Sequence, residues 1–189
     1  LNGLAILLRH AGRYSEAEPL YRRALAMRRD KLGYIHEDVA QSLNSIGCLL
    51  QDLGQFEEAR QYLEEALHQR ETLLGKSHPD VAMTLTNLGG MWATQSKYEE
   101  AREAYDRAYE IYHTTFGEYH PGVAQALNAL GGLEVEASRL DEALPYFDRA
   151  ISIQQRLYDN HPDLATTYND LGAAYYLLQE YDAAEELYA

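Results

Sequence analysis

With 189 residues and a net charge of −14, the chain is long enough for a sizeable core but carries no basic excess to displace counterions from a nucleic acid. It contains no run of about 18 apolar residues, which rules out a membrane-spanning helix. One cysteine, Cys48, and no N-x-[ST] sequon fit a reducing interior, so a cytoplasmic location is expected.

From the N-terminus, "LNGLAILL" (Leu1 on) and "RYSEAEPLYRRAL" (Arg13 on) present apolar residues at helical spacing. The next segment, "HEDVAQSLNSIGCLL" at His36, returns as "HPDVAMTLTNLGGMW" at His78, "HPGVAQALNALGGLE" at His120 and "HPDLATTYNDLGAAY" at His161. These histidines are 42, 42 and 41 residues apart. Between them lie "QFEEARQYLEEAL", "KYEEAREAYDRAY" and "RLDEALPYFDRAI", and the chain closes on "EYDAAEELYA". A fixed period of this size marks stacked supersecondary units. We divide the chain into a partial repeat 1–35, repeats 36–77, 78–119 and 120–160, and a partial repeat 161–189. Because it begins and ends inside a repeat, it is expected to be an excerpt of a longer protein.

Each repeat reads as two helices. In the second full one, Leu85, Leu88 and Trp92, then Ala101, Tyr105, Ala108, Tyr109 and Tyr112, recur at three- and four-residue steps. In His78-Pro79-Asp80 the proline suits the first helical position and pushes the histidine out of helical geometry, to the boundary. Gly33, Gly75 and Gly117 close the second helices as left-handed caps would, and Gly12 and Gly54 mark the short turn within a pair. In the 158–161 turn, which lacks that glycine, Asn160 or Asp159 is expected to take the cap. Thirteen of the thirty acids fall in first helical turns, where they offset the helix dipole, so much of the acidity is structural. The predicted architecture is all-α: antiparallel helix pairs about 25 Å long at 1.5 Å per residue. Leu88-Gly89 facing Ala101, Tyr105 and Ala108 sets small residues opposite large ones, as do Ile46-Gly47 with Ala59, Leu63 and Ala66, and Leu130-Gly131 with Ala143, Phe147 and Ala150. Glu134 stands where Leu50, Trp92 and Tyr175 stand elsewhere; it must find a partner, reach solvent, or weaken its repeat.

The sequence carries no complete catalytic or phosphate-binding motif. Gly75-Lys76-Ser77 ends like a phosphate loop, but Arg70 occupies the place of the required first glycine and the run before it reads as helix. The four histidines, one helix pair apart, should lie roughly 20 Å from each other, whereas zinc needs ligands at about 2 Å. They are read as helix-boundary caps. No catalytic residue, metal site or cofactor is assigned, and the chain is not expected to be an enzyme. Its Tyr-rich stripes, in a chain of sixteen tyrosines, sit at core spacing and are read as packing.

The pattern L-x-x-L-G-x-x-[YW], followed twelve residues after the glycine by A-x-x-x-[YF]-x-x-A, resembles the tetratricopeptide repeat. The 42-residue length and the "HPDVA…LNxLG" phrase are most similar to the kinesin-light-chain type. The resemblance implies a right-handed superhelix of helix pairs whose first helices line a concave groove that binds peptide segments, without catalysis. Groove positions carried over by the resemblance are Asn2, Asn44, Thr86, Asn128 and Asn169, with Asn87 one place later. Cys48, Gly90, Gly132 and Ala173 follow on the same face, and Arg9, His10, Gln51, Asp52, Ala93, Thr94, Val135, Glu136, Tyr176 and Leu177 lie farther along. Asparagine is a poor residue for a helix interior, so its recurrence needs a reason. Either the amides clamp a peptide backbone or they tie each helix to the next. Kinesin light chains favour acidic peptides held by positive residues largely missing here, so a neutral or weakly basic, partly apolar segment is expected. The chain is predicted to be a protein- or peptide-binding scaffold, a monomer or a weakly self-associating one, with no nucleic acid and no membrane among its partners. Alternatives are a sensor array attached to a signalling ATPase or other effector, and a self-assembling solenoid.

Overall fold

The computed structural model describes residues 1–157 and 161–188; the cap expected at Asp159 or Asn160 lies outside them. The described residues form ten α-helices and no strand: α1 (Asn2–His10), α2 (Tyr14–Leu32), α3 (Glu37–Asp52), α4 (Phe56–Leu74), α5 (Pro79–Thr94), α6 (Tyr98–Phe116), α7 (Pro121–Glu136), α8 (Leu140–Leu157), α9 (Pro162–Leu177) and α10 (Tyr181–Tyr188). None of these helices is long and apolar enough to cross a membrane.

The histidines start the helices as the sequence suggested. Nδ1 of His36 accepts from the backbone N–H of Asp38 at 3.1 Å, and His78, His120 and His161 accept from Asp80, Gly122 and Asp163 at 3.2, 3.0 and 3.2 Å. Each imidazole therefore satisfies one of the four N–H groups that a helix leaves unpaired at its start. At the other end of the second helices one expectation needs correction. Gly75 has φ 89° but ψ 156°, and Gly33 and Gly117 are similar, so they leave the helix through an extended mirror-image conformation and not through a left-handed helical cap. Only glycine enters that region readily, and the N–H of Gly75 still caps the carbonyl of Glu71 at 3.1 Å.

The chain divides into two compact units, Leu1–Met91 and Trp92–Ala189. In the first, Val39, Ala40, Leu43, Ile46, Leu49 and Leu50 of α3 are fully buried, with Ala59, Leu63 and Ala66 of α4. A Cβ on Gly47 would stand 2.6 Å from Leu63 Cγ, so the missing side chain is what lets α3 and α4 approach. The second unit repeats the device: a Cβ on Gly131 would stand 2.7 Å from the ring of Phe147. Its core joins Ala93, Ala101, Tyr105, Leu130 and Leu133 in one cluster and Ala143, Phe147, Ile151, Leu171 and Ala174 in another.

Of the three outcomes open to Glu134, the fold takes the first. The side chain is wholly buried and its carboxylate is held between the guanidinium groups of Arg102 on α6 and Arg139 just before α8, which remain 26% and 32% exposed. Burial, with Glu110 and Glu134 nearby, pushes neighbouring Asp106 above the usual carboxylate range against the pull of Arg102.

Candidate functional site

The first helices of the pairs carry the predicted groove residues, and the structure gives their amides distinct environments. In the first unit Asn44 on α3 is only 5% exposed. Its Oδ1 accepts from Asn87 Nδ2 on α5 at 3.0 Å, and its Nδ2 faces Cys48 Sγ at 3.9 Å. These two amides thus tie one first helix to the next. Thr86, in the slot equivalent to Asn44, turns its hydroxyl back to the carbonyl of Ala82 at 3.0 Å. Asn2 is half-buried and its Oδ1 has no hydrogen-bond partner. Arg9 on α1 grips Asp52 on α3 through Nε at 2.5 Å and Nη2 at 3.3 Å, which spends the one guanidinium among the predicted positions on an internal carboxylate. Gln51 and Gly90 are half-buried on the same helices. Burial pushes the Cys48 thiol up to about 11, so it stays protonated and poorly nucleophilic near neutral pH.

In the second unit Asn128 on α7 repeats the tie by donating to Asp170 Oδ2 on α9 at 2.9 Å, while its own Oδ1 is buried without a partner. Asn169 is exposed. Nothing lies within 4 Å of where a Cβ on Gly132 would stand, so unlike Gly131 beside it this glycine faces open space. That space belongs to a cleft of about 380 Å³ whose walls include Tyr105, Asn128, Gly132, Glu136, Asp170 and Ala173. Two carboxylates and no cation line it. Burial, with Glu136 adding, pushes the Tyr105 phenol up to about 12, so it remains a neutral hydrogen-bonding group.

Three features escaped the sequence reading. Asp170 was not singled out, although it stands at the position of Asn87 one place past the recurring asparagine. Tyr105, whose spacing points only to packing, also walls the cleft. The third is a ladder between the second helix of one repeat and the first of the next. Arg28 Nη1 donates to Ser42 Oγ at 2.7 Å and to the carbonyl of Asp38 at 2.8 Å. Arg70, 1% exposed, donates to Thr84 Oγ1 at 2.6 Å, to the carbonyl of Asp80 at 2.8 Å and to Gln41 Oε1 at 2.7 Å. The signal was available: Arg28 and Arg70, like Ser42 and Thr84, are one 42-residue period apart.

Antiparallel helix pairs repeated along a chain are the architecture of protein-interaction scaffolds. The tetratricopeptide repeat model matches residues 1–72, 48–112, 80–155 and 123–189, and the chain belongs to that family, whose members are generally non-catalytic. No curated protein matches the chain. Among solved structures it is similar to BtubC (BKLC) from P. vanneervenii, at 29% identity and a TM-score of 0.82, covering 97% of this chain and 74% of that one. It is also similar to a putative kinesin light chain of Podospora anserina with nearly identical TPR-like repeats, at 22% identity and TM-score 0.80, covering 98% and 88%. A Rap protein complexed with Competence and Sporulation Factor shares the fold at 18% identity and TM-score 0.82, over 99% of this chain and 50% of that one.

Proposed function

We propose that the chain holds an extended segment of a partner protein against the first helices of its repeats, and that the segment is neutral or weakly basic and partly apolar. The observation that carries this is the cleft beside Gly132. It is open where a side chain would have filled it, walled by alanine, valine and tyrosine, and its charged groups are Glu136 and Asp170 alone. An acidic ligand would meet two like charges there, which works against binding. Unsatisfied amide oxygens on Asn2 and Asn128 are acceptors suited to the N–H groups of an extended backbone. The family favours a protein- or peptide-binding role, as does a structural neighbour solved in complex with Competence and Sporulation Factor, while the charge preference rests on the cleft alone. A free, buried Cys48 suits a reducing compartment such as the cytoplasm.

Selection of a random displayed peptide library on the chain tests it. The enriched peptides should be neutral to weakly positive with apolar side chains, and Gly132→Phe should weaken them about 10- to 100-fold by filling the cleft, the scale of one lost hot spot. Enrichment of acidic peptides, or affinity unchanged in Gly132→Phe and Asn128→Ala, would refute the proposal.

A further inference from the structure

The arginine ladder is incomplete in the second unit. Arg28, Arg70, Tyr112 and Gln154 occupy one position at intervals of 42 residues, and the positions of Ser42 and Thr84, which receive the two arginines, recur as Ala126 and Thr167. Where Tyr112 replaces arginine the slot is filled by its ring: a Cβ on the facing Gly122 would lie 2.8 Å from it. Where Gln154 replaces arginine the slot is not filled. Between α7, α8 and α9 lies a cavity of about 170 Å³ lined by Gln125, Asn128, Gln154, Asp163, Thr166 and Thr167. Measured in the same way, one water needs only about 10–15 Å³.

The acceptors that receive Arg70 in the first unit reappear at this cavity. Thr167 stands in the place of Thr84, the backbone of Asp163 in that of Asp80, and Gln125 in that of Gln41. Gln154 reaches the Asp163 carbonyl only at 3.4 Å, and its Oε1 is left buried with no partner although the residue is 4% exposed. Asn128 Oδ1, on the same wall, is equally unpartnered. Two buried amide oxygens are therefore left without a donor in a roomy pocket, and a buried acceptor without a donor is costly. We propose that this cavity binds a guanidinium group, the arginine side chain of a partner segment, in the slot that Arg70 fills from within in the preceding unit. A guanidinium offers five donors in a planar fork to acceptors spread around it, where an ammonium offers a compact charge. The pocket shares Asn128 with the cleft beside Gly132, so a segment lying on the first helices could place an arginine in it. Only the source of the arginine rests on the peptide-binding reading; the pocket itself does not.

The test is titration of the full chain with N-acetyl-arginine amide and N-acetyl-lysine amide, read by NMR at the side-chain amides of Asn128, Gln125 and Gln154. The arginine probe should give saturable shifts confined to those groups, with the lysine probe about tenfold weaker. Gln154→Arg should rebuild the Arg70 contacts, raise the melting temperature and abolish the shifts. Gln154→Met, which removes the acceptor without adding charge, should abolish them as well. Absent or scattered shifts, which leave the pocket to water alone, overturn the proposal. So does an equal lysine response, or probe binding that survives in both variants. If the probe fails while Gly132→Phe still releases selected peptides, the pocket falls and the groove stands; the reverse outcome removes the groove alone.

Discussion

A carboxylate with no solvent exposure, as at Glu134, persists only because two guanidinium groups are close enough to neutralise it. The asymmetry of buried ion pairs makes the consequences unequal. Removing both cations, Arg102→Ala with Arg139→Ala, leaves an uncompensated buried charge and should cost about 3–5 kcal/mol. Replacing Glu134 by leucine, the residue that Leu50 supplies in an earlier repeat, should be near neutral or stabilising by about 1–4 kcal/mol. Urea unfolding of the two variants checks this; an arginine double variant as stable as the parent would show that the ion pair holds nothing together. The sequence marked Glu134 as anomalous but could not say which outcome it took, because both arginines lie at positions that in other repeats face solvent or carry other residues.

At the scale of a helix, adjacent glycines of α7 have opposite reasons to exist. Gly131 is small because Phe147 sits on it, whereas Gly132 has empty space beside it. Gly131→Ala should therefore destabilise the second unit by about 1–3 kcal/mol, the usual cost of overpacking. Gly132→Ala should instead gain about 0.5–1 kcal/mol, since alanine is the better helix former and meets no obstacle. Thermal melts of both variants decide it, and a shift of the same sign in both would contradict the packing described. The Gly-Gly pair was visible in the sequence and its first member was read correctly as packing. That the second is open could be learned only from where α8 and α9 stand.

Across the whole molecule, four of the first helices begin on a histidine whose Nδ1 must be unprotonated to accept the capping N–H. For His120, burial holds the imidazole below its ordinary value of about 6.5. A histidine depressed in the folded state binds fewer protons than in the unfolded chain as pH drops. Its stabilisation is thus complete above about pH 6.5 and is lost as pH falls through the folded value. The melting temperature should accordingly decline between pH 7.5 and 5.5, and less so in His120→Asn, which keeps a capping acceptor but does not titrate. A flat profile, or an identical slope in that variant, would exclude the cap as the cause.

Periodicity alone determined the repeat length, the helix pairs, their capping histidines and the small-against-large packing, because each of these depends on residues within one 42-residue unit or on identical contacts repeated along it. The exchange of Asn44 with Asn87, and of Asn128 with Asp170, was decided by tertiary structure, as were the burial of Arg70 and the cavity beside Gln154. The reason is physical: a hydrogen bond between neighbouring repeats forms only where the approach of two helices matches the combined reach of two side chains, and that match is encoded at no single position.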